Sequence, residues 1–375
     1  MRIVYNAFGG RYSCNPRALH ERLSALRPDW QHVWLADPAR PSGFPPDVET
    51  VPYGGPECVA ALESADVVIS NDHLALDWEK PSSTVYLQTW HGTPLKRIHH
   101  DVLWAPEGRL AYLDQDVARW DVLLSPNPAS TPRLRRAFGY SGPVHETGYP
   151  RNDVLRSPDA ERLRADVRAA LGIPESATAV LYTPTWRDDL VFGADGPDFT
   201  FALDPARFAA VLGPDHLLVL RTHSMVKHRL DLAAHGQVVD ASDHPDVRDL
   251  YLAGDVLITD YSSTMFDFAV TGKPLLYYAY DLDDYRDRLR GFYFDLTDDP
   301  PGPILRTQEQ VFEALADLDA VAARYRPAYD RFRATFCRLE DGHAADRVLD
   351  VVLGERRSPA DDTRDRRREP DTVPG

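Results

Sequence analysis

Four stretches of this 375-residue chain place reactive side chains where an apolar run gives way to a polar turn. In YLQTWHGTPLK (86–96), His91 follows a strand-like run and precedes Gly92, Thr93 and Pro94. An imidazole with an unperturbed pKa of ~6.5 can take a proton from a hydroxyl at neutral pH. Gly92 permits close backbone approach, and Pro94 pre-sets the first turn of a segment carrying Lys96. A loop histidine satisfied by its neighbours is the competing reading. In LYTPTWRDD (181–189), the planar guanidinium of Arg187 suits two-point contact with a phosphate, although pairing with Asp188 or Asp189 is simpler. In LLVLRTHS (217–224), Arg221 and His223 lie two apart, on one side of an extended segment, as a charged and proton-exchanging pair. In DVLITDYSSTMFDFAVTGK (255–273), Asp260 precedes Ser262, Ser263 and Thr264, which open a helix that Gly272 closes. Free N–H groups and the helix dipole there suit a phosphate; plain capping by either serine competes.

Other signals carry less. Asp281, Asp283 and Asp284 are similar to the acidic metal-binding motif of single-domain glycosyltransferases, but their position after the hydroxyl-opened helix favours a helix start, and no metal is expected. His99-His100 lacks an HExxH partner and reads as surface, and RLRRAFGY (133–140) as a solvated helix face. NAFGGRYSCNP (6–16) has only a glycine pair, too little for dinucleotide binding, and no Walker loop or GxSxG elbow is present. Cys14, Cys58 and Cys337 are far apart and read as buried, reduced thiols of a cytoplasmic protein.

The elements that must position these residues alternate in type. Strand-like runs fall at 2–8, 32–37, 66–72, 83–90, 121–127 and 145–150, then again at 177–186, 216–224, 237–242, 255–263 and 273–280, with helix-like segments between. This is the rhythm of an α/β protein with parallel sheets. Two such units predict two Rossmann-like domains facing across a cleft, 1–150 and 151–350, followed by a disordered tail at 355–375 with little to bury. The Gly/Asp-rich stretch 187–204 reads as a site-lining loop. Ligands of open parallel sheets bind beyond the carboxyl ends of the strands, where the four candidate stretches lie. A net charge of −16 argues against nucleic acid and against broad attraction to anionic lipid. No run approaches the ~18 apolar residues of a membrane span, and the N-terminus does not read as a signal peptide.

Taken together, NPRALHERL, WHGTPLK, TGYPRND, YTPTWR, RTHS, LITDYSSTMFDFAVTGKPLLYY, YDLDDYRDRLRGFYFD and FCRLEDGHAADRV resemble the CDP-glycerol glycerophosphotransferase family, which includes teichoic-acid primases and polymerases and capsule polymerases. Ser224 stands where that family often has proline. The resemblance implies a GT-B-like fold and transfer of glycerol phosphate or ribitol phosphate from CDP-glycerol or CDP-ribitol to a hydroxyl of a lipid-linked or polymeric acceptor, releasing CMP, without a cofactor. It implies His91 and His223 as catalytic groups and Arg187, Arg221, Ser262 and Ser263 around the donor phosphates. Asp260 and Asp267 would serve the ribose or nucleotide, with Gly92, Thr93 and Lys96 in support. Such a protein is expected in the cytoplasm, with at most a weak peripheral membrane contact. The rival enzyme is a GT-B glycosyltransferase using a nucleotide sugar; the rival from another class is a non-catalytic scaffold of wall or capsule assembly.

Overall fold

The computed structural model describes residues 1–39, 43–185, 187, 202–222 and 236–354. His223, Ser224, the loop after Arg187 as far as residue 201 and the expected tail at 355–375 lie outside the described residues. The strands, in chain order, are β1 (Arg2–Asn6), β2 (Gln31–Ala36), β3 (Glu49–Pro52), β4 (Val67–Ser70), β5 (Val85–Gln88), β6 (Val122–Ser125), β7 (Val144–Glu146), β8 (Thr178–Thr183), β9 (His216–Leu220), β10 (Val238–Asp240), β11 (Val256–Thr259), β12 (Leu275–Tyr278) and β13 (Ile304–Leu305). The helices that bear on the site and its support are α1 (Cys14–Leu26), α2 (Arg109–Val117), α3 (Thr131–Phe138), α4 (Val247–Ala253), α5 (Thr264–Phe268), α6 (Leu282–Asp284) and α7 (Ala344–Gly354).

Two parallel sheets form, ordered β3-β2-β1-β4-β5-β6-β7 and β10-β9-β8-β11-β12-β13. The central strands VVIS, VLLS, VLIT and LLYY are buried along their whole length, as strands covered by helices on both faces must be. The expected runs overlap eleven of these strands, β2 and β7 each starting one residue earlier; the two not foreseen, β3 and β13, are edge strands. One reads ETVP with a proline and the other has two residues, so neither shows an apolar signature.

In each sheet the strand order reverses once, between β1 and β4 and between β8 and β11. The crevice at such a reversal, beyond the carboxyl ends, is where open α/β sheets receive ligands. His91 and Asp260 both belong to segments leaving these ends.

The second half does not keep everything between 151 and 350. Ala345, Val348 and Leu349 of α7 pack among Ile3, Tyr5, Leu19 and Leu23 beneath the first sheet. Asp153 caps this returning helix, its two carboxylate oxygens accepting from the Ala344 and Ala345 amides at 2.9 and 2.8 Å. The chain therefore crosses back to its own beginning, where the apolar stripe of α7 is buried against the first sheet.

Candidate active site

His91 stands beyond β5, with its Nδ1 donating to the Asn71 carbonyl, just after β4, at 2.5 Å. A carbonyl only accepts, so Nδ1 carries the hydrogen and Nε2 keeps its lone pair. The Trp90 ring stacks on the imidazole at 4.2 Å between centroids, and Phe8 meets it edge-on at 5.1 Å. Burial pushes the pKa of His91 below its ordinary value, against the pull of Asp72 and of the Asn71 carbonyl; Arg151 and His73 add to the lowering. The ring is thus neutral near pH 7, the form that accepts a proton.

The backbone around it is strained. Phe8 (φ 49°) and Trp90 (φ 51°) both adopt left-handed conformations that non-glycine residues avoid, at a cost on the order of 1–3 kcal/mol each. Such strain persists only where surrounding bonds hold it. The Trp90 amide donates to Gln88 Oε1 at 2.9 Å, and its carbonyl accepts from Asn15 Nδ2, at the start of α1, at 3.0 Å. The His91 carbonyl accepts from Arg151 Nη1 at 2.8 Å.

Gly92 carries the loop against the second half of the chain. A Cβ there would lie 2.8 Å from Ser263 Oγ and 3.1 Å from its Cβ, so the approach needs glycine. Ser263 sits at the start of α5 without a side-chain capping bond, and Ser262 Oγ accepts only a long 3.4 Å contact from the Thr264 amide. Neither hydroxyl is therefore committed to a strong cap. Thr93 is buried, and Lys96 bridges antiparallel to Phe292.

Several charged residues have duties that local sequence did not reveal. Asp188 and Asp189 lie outside the described residues; Arg187 Nε and Nη2 donate to Asp281 at 2.6 and 2.9 Å, and its Nη1 to Asp260 at 2.9 Å. Tyr261, Tyr280 and Tyr285 surround the guanidinium with centroids 4.8–5.3 Å away. Its charge is therefore neutralised inside the protein, leaving little for a phosphate. Asp260 also accepts from the Thr185 and Tyr261 amides, so it organises the turn after β11 instead of facing a ribose. Asp281 stands at the N-cap position of α6 with Asp283 and Asp284 in its first turn, the helix start expected, but its side chain makes no capping bond and instead holds Arg187 and the Tyr261 hydroxyl. Asp267 is buried with both oxygens occupied, Oδ2 by Arg151 at 2.7 Å and Oδ1 by Asn152 at 2.9 Å, so neither is offered to a ribose hydroxyl.

Arg221 differs. Its Nη1 donates to the His244 carbonyl at 2.7 Å, and among the described residues no carboxylate pairs with it directly. Burial lowers its pKa while Asp246 and Tyr251 pull the other way; a guanidinium stays charged under such a shift. Among the described residues it is thus a cation left available on the second sheet's side.

Arg151 is the residue that sequence reasoning missed. It belongs to TGYPRND, between the two sheets, and joins the His91 carbonyl, Asp267 and Cys14 Sγ (3.0 Å) in one buried cluster. Burial opposes its charge, yet Asp267 holds its pKa well above the ordinary value. An arginine following proline at the junction of two α/β units was the available signal. All three cysteines are buried thiols, as expected. His99, read as surface, is buried, whereas His100 is exposed. The helix RLRRAFGY is not simply solvated: Arg133 lies over Phe294 (4.9 Å), and Arg136 pairs with Asp101.

Two parallel sheets, each with one reversal of strand order, with a histidine loop and a hydroxyl-opened helix meeting beyond the strand ends, define a doubly wound α/β architecture. The fold alone is shared with a UDP-GlcNAc 2-epimerase from Neisseria meningitidis (13% identity, TM-score 0.54, covering 94% of this chain and all of that one). Residues 1–354 match the family CDP-Glycerol:Poly(glycerophosphate) glycerophosphotransferase, and the chain belongs to it. The wall teichoic acid polymerase TagF, solved as an H444N variant soaked with CDPG, superposes with a TM-score of 0.86 at 34% identity over 94% of this chain and 88% of that one. A teichoic acid glycerol-phosphate transferase of Staphylococcus aureus is 39% identical over 94% of this chain and 92% of its own length. A teichoic acid poly(glycerol phosphate) polymerase of Bacillus subtilis is 36% identical over 94% of this chain, which spans about half (48%) of that relative.

Proposed function

We propose that this protein transfers a polyol phosphate from a CDP-polyol to an acceptor hydroxyl of a wall glycopolymer or its lipid-linked precursor, releasing CMP. Glycerol phosphate is the favoured group, because glycerol-phosphate relatives are 34–39% identical over 93–94% of the chain and ribitol-phosphate ones 26–32% over 58–75%. The observation that carries the reading is the neutral His91, its Nδ1 tied to Asn71 and Gly92 against Ser263.

The donor lies in a GT-B-like cleft between the carboxyl ends of the two sheets. The acceptor hydroxyl attacks the phosphorus bearing the polyol; its proton passes to His91 Nε2 as the bond to the CMP phosphate oxygen breaks. Such reactions depend on positioning and charge neutralisation more than on covalent chemistry. Arg221, with His223 from the same strand end, and the hydroxyls of Ser262 and Ser263 receive the charge that grows on the departing CMP. Arg187 and Asp260 serve indirectly, by fixing the turn that presents those serines. Supply of CDP-glycerol, CDP-ribitol and a set of nucleotide sugars, with mass spectrometry of the products, tests this. CMP and a polyol-phosphate adduct are expected; transfer of a sugar, or no turnover of any donor, overturns it.

No helix among the described residues is long and apolar enough to cross a membrane. Exposed Leu103, Trp104 and Tyr112 support a weak contact with the bilayer surface where a lipid-linked acceptor resides.

A further inference from the structure

His99 and His100 are adjacent, and adjacent side chains ordinarily diverge. Here both imidazoles turn toward Asp114 of α2: His100 Nε2 lies 2.8 Å and His99 Nε2 3.8 Å from Asp114 Oδ1. The convergence rests on a left-handed backbone at His99 (φ 48°), a conformation that costs energy for a non-glycine residue. The two rings stand nearly perpendicular, 4.6 Å between centroids.

His99 is 8% exposed, and its Nδ1 donates to the Ala137 carbonyl at 3.1 Å. That bond fixes the tautomer, so the lone pair is on Nε2, which is buried and without a hydrogen-bond partner. A buried acceptor left unsatisfied costs about 1–3 kcal/mol. An Nδ1–H to carbonyl bond behind a free Nε2 is also the usual support of a metal-binding histidine.

We propose that His99 Nε2, His100 Nε2 and Asp114 Oδ1 form a binding site for a Zn²⁺-type divalent transition-metal ion. The three ligand atoms lie within 4.8 Å of one another. Ligand atoms about 2.0–2.1 Å from a tetrahedral Zn²⁺ are roughly 3.3–3.4 Å apart, a separation bracketed by the 2.8 and 3.8 Å found here. Two imidazoles and one carboxylate favour zinc and its neighbours over magnesium or calcium, which prefer all-oxygen sites. His100 and Asp114 are part-exposed, which leaves the fourth position to water. The ion would clamp the turn after the HGTPLK segment to α2. His73 stacks on His99 at 5.3 Å and meets Trp90 edge-on at 5.9 Å, so the clamp lies behind the ring that packs on His91.

The test uses the untagged full chain, stripped with chelator, and its His100→Ala and Asp114→Asn variants, both at part-exposed positions. Wild type should bind one equivalent of Zn²⁺ by calorimetry, give the intense visible d–d bands of tetrahedral Co²⁺, and melt at higher temperature with Zn²⁺. Each variant, with the circular dichroism of wild type, should bind at least ~10-fold more weakly and lose the cobalt bands. Failure of wild type to bind stoichiometrically, or binding equally tight in both variants, overturns the proposal.

Discussion

At the scale of single residues, His91 combines a fixed tautomer with a depressed pKa. His91→Ala should lower turnover by roughly 10²–10⁴-fold while calorimetry finds CDP-glycerol binding nearly unchanged. Because burial lowers the pKa, the active neutral form persists to more acid pH than an ordinary imidazole allows. The acid limb of kcat/KM should therefore fall below 6.5 and disappear in the alanine variant. Gly92→Ala drives a Cβ into Ser263 and should destabilise the protein by about 1–3 kcal/mol. Adding Ser263→Gly should restore the melting temperature without restoring turnover, because it removes the space conflict and a donor-facing hydroxyl together. His91 and Gly92 could be singled out from their neighbours alone, a strand end followed by glycine and proline. Their orientation could not, because it is set by Asn71 and Arg151, 20 and 60 residues away.

At the scale of elements, the buried strands were legible because both faces are covered and each reads as a continuous apolar run. The edge strands β3 and β13 were not, since half-exposed or two-residue strands carry no such run. The junction between the sheets is held by Arg151 and Asp267, with side chains 4% and 6% exposed. Asp267→Ala leaves a buried guanidinium without its counter-charge and should cost about 3–5 kcal/mol in urea unfolding. Asp267→Asn, which keeps an acceptor in place, should cost less. A second contact, the Cys14 amide donating to Asp246 at 2.9 Å, ties the start of α1 to the cap of α4 and should keep the two halves unfolding together.

Across the whole molecule, the returning segment that ends in α7 contains Glu340, whose Oε1 accepts from the Tyr149 amide at 3.1 Å. Burial, with the charge of Asp267, raises its carboxyl pKa from 4.5 to about 8. A raised carboxyl binds its proton more tightly in the folded protein, so its contribution is full below pH 4.5 and is lost as pH rises towards 8. Glu340→Gln, which cannot ionise, should remove this fall. Compared by thermal unfolding at pH 5 and pH 8, the variant should gain stability relative to wild type at the higher pH, by an amount on the order of a few kcal/mol. Equal pH dependence in the two proteins would mean that Glu340 is already ionised in the fold.

By itself, the sequence determined the α/β class, the positions of the central strands along the chain, the candidate strand ends and the family, because each is encoded in neighbouring residues or in short motifs. Only the tertiary structure decided which charges remain available. Arg187 and Arg221 are the same residue type at equivalent strand ends, yet Asp281, 94 positions along the chain, neutralises the first, while no described carboxylate pairs with the second. Asp267 was likewise spoken for by Arg151, 116 positions earlier, and His99 was turned inward by a backbone angle that no local pattern specifies. The physical reason is range: backbone propensity and apolar periodicity act over a few residues, whereas ion pairing and desolvation depend on distances that exist only once the chain has closed on itself.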